Sequence, residues 1–184
     1  NGMIRIVGVG GDLMKKSGLE SLFDPKDLSI LGIIEVIPKL LIIFRRLFET
    51  IDHINNTSPD IFISIDSWGF TGFIHNYLRR NNKLIKRFRY VAPQVWAWRP
   101  GRAKKLSYLV DHLLTLFPFE PEIFRKYGLR TTFVGHPIIY SLNQEDRLGD
   151  FREINLISSS DLVISILPGS RISEVNKLGP VLVQ

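Results

Sequence analysis

Two periods of apolar residues alternate along this chain. Short, nearly unbroken apolar runs at residues 61–65, 85–91, 112–117 and 131–134 predict strands. The run Ile61-Phe62-Ile63-Ser64-Ile65 has the continuous character of a parallel strand buried on both faces. Between these runs, apolar residues recur every three or four positions, which predicts helices over residues 38–54, 69–81, 102–109 and 120–127. Pro38 suits a first helical turn and Gly128 a helix stop. Upstream, residues 4–11 read as a strand entering a Gly10-Gly11 turn, with Asp12 as the cap of a brief helix ending at Gly18. Strand and helix thus alternate, which argues for an α/β fold: a Rossmann-like parallel sheet with helices on both faces.

Residues 143–160 carry no clear apolar period and read as a linker. They divide a first domain, 1–142, from the beginning of a second, 161–184, whose run Leu162 to Leu167 predicts a new buried strand followed by a helix start at Ser173 and Glu174. The chain opens at Asn1 and closes inside an apolar helix, so the expectation is a piece of a longer protein.

Composition narrows the chemistry only a little. The 184 residues include 24 Lys+Arg against 18 Asp+Glu, a net charge of +6. That balance permits nucleic acid, anionic lipid or phosphorylated substrates without choosing among them. No nucleic-acid motif is present, so nucleic acid is not expected as a partner. The absence of cysteine excludes disulfides, thiolate zinc sites and cysteine nucleophiles. No apolar run is long enough to span a bilayer, and none reads as a signal peptide.

Four stretches carry candidate chemistry. The segment Pro93-Gln94-Val95-Trp96-Ala97-Trp98-Arg99 follows a strand and fits neither period. Its tryptophans can plug the end of a core or line a binding surface; the adjacent Arg99, Arg102, Lys104 and Lys105 favour a site for something anionic. Asp66 ends a strand, where ligands bind in open α/β sheets, and can act as a general base or cap the next helix. His136, in Gly135-His136-Pro137, can bond a sugar or phosphate oxygen or its own backbone. It shares no metal-ligand spacing with His53, His75 or His112, so neither metal nor cofactor is expected. Pro168-Gly169-Ser170-Arg171, followed by Glu174, forms a Gly turn, a hydroxyl and an arginine ahead of a helix, a good anion site that lacks the P-loop lysine. The predicted helix over 38–54 places Leu40, Phe44, Leu47, Ile51 and Ile54 on one face. Leu41 and Phe48 widen that stripe and Ile42 lands beside Arg45 and Arg46, which suits either burial or contact with an anionic membrane surface.

Taken in order, Tyr90-Val91-Ala92-Pro93-Gln94-Val95-Trp96-Ala97-Trp98-Arg99, Phe117-Pro118-Phe119-Glu120, Phe133-Val134-Gly135-His136-Pro137 and Leu167-Pro168-Gly169-Ser170-Arg171 resemble the lipid-A-disaccharide synthase family. Gly8-Val9-Gly10-Gly11, Gly32-Ile33-Ile34-Glu35-Val36 and Ile65-Asp66-Ser67 are similar to it too, so the resemblance covers essentially the whole chain. It implies the N-terminal domain of a GT-B glycosyltransferase and the first strand and helix start of the nucleotide-sugar domain. The implied reaction joins the diacylglucosamine of a UDP-diacylglucosamine donor to a diacylglucosamine phosphate acceptor, with release of UDP and inversion.

The resemblance makes Asp66 the general base. It sets Gly10, Gly11, Pro93, Trp96, Trp98, Arg99 and His136 beside the substrates, and Gly169, Ser170, Arg171 and Glu174 on the donor. It turns Leu41, Ile42 and Phe48 toward the inner face of the inner membrane of a Gram-negative bacterium, and leaves an oligomer open. Three features depart from the family: its Gly-rich N-terminal loop and most of its second domain are absent, and Trp68-Gly69 follows Asp66-Ser67. The first two imply that this piece alone is inactive. The alternative is a non-catalytic membrane-binding module or a degenerate remnant of the enzyme.

Overall fold

The computed structural model describes residues 4–28, 36–82, 84–95, 101–139, 151–169 and 172–182. The chain forms two compact units, Asn1–Pro137 and Ile138–Gln184. In the first, four parallel strands stand in sequence order: β1 (Ile61–Ile65), β2 (Lys86–Tyr90), β3 (His112–Thr115) and β4 (Arg130–Phe133). Helices precede and connect them: α1 (Asp12–Lys16), a 3-10 turn at Pro25–Leu28, α2 (Val36–Thr57), α3 (Trp68–Asn81), α4 (Gly101–Leu109) and α5 (Glu120–Arg125). The second unit contains α6 (Phe151–Ile154) and α7 (Ile172–Leu182). The α/β class, with a parallel sheet flanked by helices, is as the sequence predicts; helices on both faces are not seen among the described residues, where α3, α4 and α5 share one face.

Parallel strands in sequence order require crossovers of one hand, so α3, α4 and α5 lie on one face of the sheet. The register shows what they cover. Ser64 pairs with Arg89, Arg89 with Leu113 and Leu113 with Thr131, and all four are buried. One residue earlier, the row Ile63, Phe88, His112, Arg130 turns to the other face. Two apolar cores form among the described residues. One gathers Ala92, Val95, Leu106, Leu113 and Phe124 between α4, α5 and the sheet. The other joins α2 and α3 through Leu47, Ile54, Phe70, Ile74 and Leu78.

Four local expectations are corrected. Residues 4–11 are not a strand; only Gly8 pairs, in a single bridge to Ser21. Asp12 does not cap α1, because Gly11 holds the cap position without a side-chain bond and Asp12 is the first helical residue. Strand β1 is not buried on both faces: Ile61, Ile63 and Ile65 are about half exposed, at 50%, 55% and 46%. It is an edge strand, and its side chains opposite the helices meet no covering layer among the described residues. Residues 162–167 are neither strand nor buried; no described strand lies alongside to pair with them, and Leu162 and Leu167 are exposed. Of the predicted linker, residues 143–150 lie outside the described part, and 151–154 form α6.

The inner face of α2 also differs in detail. Leu47, Thr50 and Ile54 are buried, whereas Leu40 and Phe44, predicted on the same face, are exposed. Arg46 is occupied as well. Its guanidinium lies over Phe23 and bridges Asp27 and Glu49, each at 2.6 Å, which leaves Arg45 as the outward cation of the pair.

Candidate functional site

Because the strands are parallel, the residues that follow β1, β2, β3 and β4 all emerge on one edge of the first unit. That edge carries Asp66, Pro93, Phe117 and His136. Three strand spacings separate the ends of β1 and β4, on the order of 14 Å. Asp66 and His136 therefore line one edge without touching.

The end of β1 is sharply bent. Asp66 and Ser67 both take left-handed backbone angles, with φ of +49° and +46°. Each such residue costs about 1–2 kcal/mol outside glycine, although Asp tolerates it better than most. Beside it, Val91 at the end of β2 has φ of +74°, a true outlier for a β-branched residue. Strain held at adjacent strand ends marks a position that the surrounding structure over-determines.

Arg89 supplies much of that determination. Its Nη1 donates to the Asp66 carbonyl at 3.1 Å, and the Thr71 hydroxyl lies 3.1 Å from the same oxygen. The Asp66 amide donates to Tyr90 O at 3.3 Å. Arg89 Nη2 stands 3.9 Å from Asp66 Oδ1. The two side chains of this ion pair differ greatly in burial: that of Arg89 is 2% exposed, that of Asp66 79%. Trp68 covers the guanidinium, 4.7 Å from its ring centroid. Burial pulls the Arg89 pKa down to about 10, and the Asp66 charge only partly offsets this.

Behind Trp68 lies His75, fully buried, with its ring 5.8 Å from the indole and edge-on to Phe62. His75 Nε2 shares a 2.8 Å hydrogen bond with Ser64 Oγ. Burial, with further help from the Arg89 and Arg87 charges, lowers its pKa to about 3, so the ring is neutral. His75 Nδ1 and Arg89 Nε are buried with no hydrogen-bond partner among the described residues.

The other predicted site residues fall as follows. Asp66 does not cap α3: Ser67 is the cap residue, no side chain bonds there, and the carboxylate faces water. Pro93 is half-buried between Ala92 and Val95 of the first core. Trp96, Trp98 and Arg99 lie outside the described residues. The His136 ring tilts against Phe117 at 5.9 Å, and Phe117 stacks on Phe119 at 5.7 Å. Gly10 is a packing glycine: its amide donates to Ser21 Oγ, and a Cβ there would collide with Leu19 and Met14. Gly11 is exposed with open space around it. A cavity of about 420 Å³ lies nearby, lined by Arg5, Gly8, Ser21 and His53 among others. In the second unit, Gly169 has φ of +122° and packs directly against Glu174; Ser170 and Arg171 lie outside the described residues. Leu41, Ile42 and Phe48 are all exposed on α2.

The structure thus brings Asp66 together with Arg89, Trp68, Thr71 and His75, none of which the sequence marks as a site residue. One signal was there to find. Arg87 and Arg89 alternate within a strand otherwise flanked by apolar residues, which puts two charges on one face, and that face is the one under the helices.

Among the described residues, no helix is long and apolar enough to cross a membrane. A family model described as lipid-A-disaccharide synthetase matches residues 1–184. A lipid-A-disaccharide synthase of Paramagnetospirillum magneticum is 43% identical over 175 residues, 95% of this chain and 45% of that protein. One of Rhodospirillum centenum is 43% identical over 179 residues, 97% of this chain and 45% of its own. One of Gluconobacter oxydans is 44% identical over 174 residues, 95% of this chain and 41% of its own. The chain spans a little under half the length of these relatives.

Proposed function

The chain belongs to the lipid-A-disaccharide synthetase family, and from that premise we propose that it is the acceptor-side part of a GT-B glycosyltransferase of lipid A biosynthesis. The proposed reaction moves diacylglucosamine from its UDP donor to a diacylglucosamine phosphate acceptor. Asp66 takes the proton of the acceptor's primary hydroxyl. The resulting oxygen attacks the anomeric carbon, the bond from that carbon to the UDP oxygen breaks, and UDP departs with the electron pair. Gly169, Ser170, Arg171 and Glu174 open the part that holds the donor, where Arg171 would offset charge growing on the pyrophosphate. Turnover on this reading draws on more than this chain, which spans a little under half the length of its relatives.

One observation carries the assignment of Asp66. It is a water-facing carboxylate at the carboxyl end of a parallel strand, where open α/β sheets bind ligands, and it is not engaged as a helix cap. A general base contributes about 10²–10⁴-fold. In the natural polypeptide that carries this chain, Asp66→Asn is therefore expected to cut UDP release by at least about a hundredfold while the melting temperature holds. Turnover close to wild type would remove Asp66 from the chemistry. Intact-mass measurement of that polypeptide comes first, since it decides whether the donor-binding part is on the same chain or must be supplied.

The exposed apolar residues of α2, Leu41, Phe44 and Phe48 beside Arg45, support a second element of the reading: attachment to an anionic membrane surface, where both lipid substrates reside.

A further inference from the structure

We infer that Arg89 is the positioning residue for Asp66, its buried guanidinium holding the left-handed turn that presents the carboxylate to the acceptor. The inference rests on the proposed role of Asp66 and adds what makes that role possible.

Arg89 does not face the substrate edge. It is all but inaccessible, lies under the helices in the buried row with Ser64 and Leu113, and is roofed by Trp68. A cation in that position is costly to bury and needs a reason to be there. Its shortest contact with Asp66 is to the backbone carbonyl at 3.1 Å; the carboxylate is farther, at 3.9 Å. Thr71 Oγ1 lies 3.1 Å from that same carbonyl, and Tyr90 O accepts the Asp66 amide. The peptide groups on both sides of Asp66 are therefore tied down, to β2 and to the first turn of α3, while the carboxylate alone reaches solvent.

The tied conformation is one that neither Asp66 nor Ser67 adopts cheaply. Without the guanidinium, those two residues are free to relax to negative φ. Relaxation would swing the Asp66 Cα–Cβ bond and carry the carboxylate away from its place at the strand end. A displacement of about 1 Å at a reacting group can lower turnover by about a hundredfold. Arg89 acts through Asp66 and touches no substrate itself.

The experiment uses the natural polypeptide and four variants: Arg89→Gln, Thr71→Val, Asp66→Ala and the double variant Asp66→Ala with Arg89→Gln. Arg89→Gln is expected to lower kcat about 10- to 100-fold with KM within about twofold, because binding surfaces are untouched. Thr71→Val, which removes the uncharged tie at a partly exposed position, is expected to lower kcat by a smaller factor at an unchanged Tm. With the carboxylate gone, adding Arg89→Gln should alter the residual rate by less than about twofold, the non-additivity of groups acting as a unit.

A crystal structure of Arg89→Gln supplies a readout free of activity, with φ of residues 66 and 67 expected to turn negative. Should that variant not fold, Thr71→Val and Arg89→Lys carry the same measurements, with Lys expected to restore only part of kcat. Full turnover in Asp66→Ala would sink the general base, and the crystal structure would still decide the positioning. Unchanged positive φ in the Arg89 variant, or an equal loss of rate with and without the Asp66 carboxylate, would overturn the inference.

Discussion

Ser64 and His75 share a 2.8 Å hydrogen bond wholly out of water, tying β1 to α3. His75 is held neutral by burial and by two neighbouring arginines, with its pKa near 3 against an ordinary 6.5. The unfolded chain binds a proton on this ring below about pH 6.5, while the folded chain does not until about pH 3. The contribution to stability is therefore complete above about pH 6.5 and erodes as pH falls toward 3, by up to about 1.4 kcal/mol per pH unit. Urea unfolding between pH 7.5 and 4.5 should show this loss, and His75→Gln should flatten it. An equal slope in the variant would show that His75 is not its source.

Arg87 and Asp111 set a second pH window. Arg87 grips Asp111 through its backbone amide, Nε and Nη2 at 2.8, 2.9 and 2.6 Å, and Asp111 N donates back to Arg87 O. Burial alone would raise the Asp111 pKa, but the hydrogen bonds from Arg87 override it and hold the carboxylate below its ordinary value. Its stabilisation is present above about pH 4 and lost as pH falls further. Asp111→Ala leaves the buried Arg87 charge uncompensated. The expected loss is about 2–3 kcal/mol, at the lower end for buried pairs because Asp111 is partly wet. A chemical-denaturation shift below about 0.5 kcal/mol, the size of an ordinary surface substitution, would mean that the pair does not hold β2 to β3.

The exposed side of α2 makes its own prediction. Leu41 and Phe48 stand 82% and 66% exposed, with Phe44 between them and Arg45 alongside. Arg46 is spent on Asp27 and Glu49, so apolar insertion should outweigh charge attraction. Sedimentation with vesicles rich in anionic lipid is expected to weaken at least tenfold in Leu41→Asp with Phe48→Asp, and by only a few fold in Arg45→Gln. Equal binding by all three proteins would exclude this face as the attachment surface.

Gly169 is predicted to tolerate no side chain. Its φ of +122° disfavours any L-residue, and a methyl group there would press on Glu174 Cβ at 2.9 Å and on its carboxylate. Gly169→Ala should therefore displace Glu174 and raise the KM for the UDP-linked donor several-fold in the natural polypeptide. An unaltered donor KM would separate this turn from donor binding.

Much of the fold was legible in the sequence because the period of apolar residues is a local property. Strands β1 to β4, helices α3 to α5 and the stop at Gly128 follow from runs and spacings within a few residues. The position of Asp66 at a strand end was legible for the same reason. Burial was not, because it depends on what lies alongside: Ile63 and Leu162 read as core yet are exposed, since one edges the sheet and the other has no described strand beside it. Nor was the setting of Asp66. Arg89 is 23 residues away in sequence and reaches it only because parallel pairing sets Ser64 beside Arg89 and Ile65 beside Tyr90. The identities of the strands came from the chain itself, while the left-handed turn, its buried arginine and the neutral histidine behind it came from pairing and packing, where contacts between distant residues outweigh local preference.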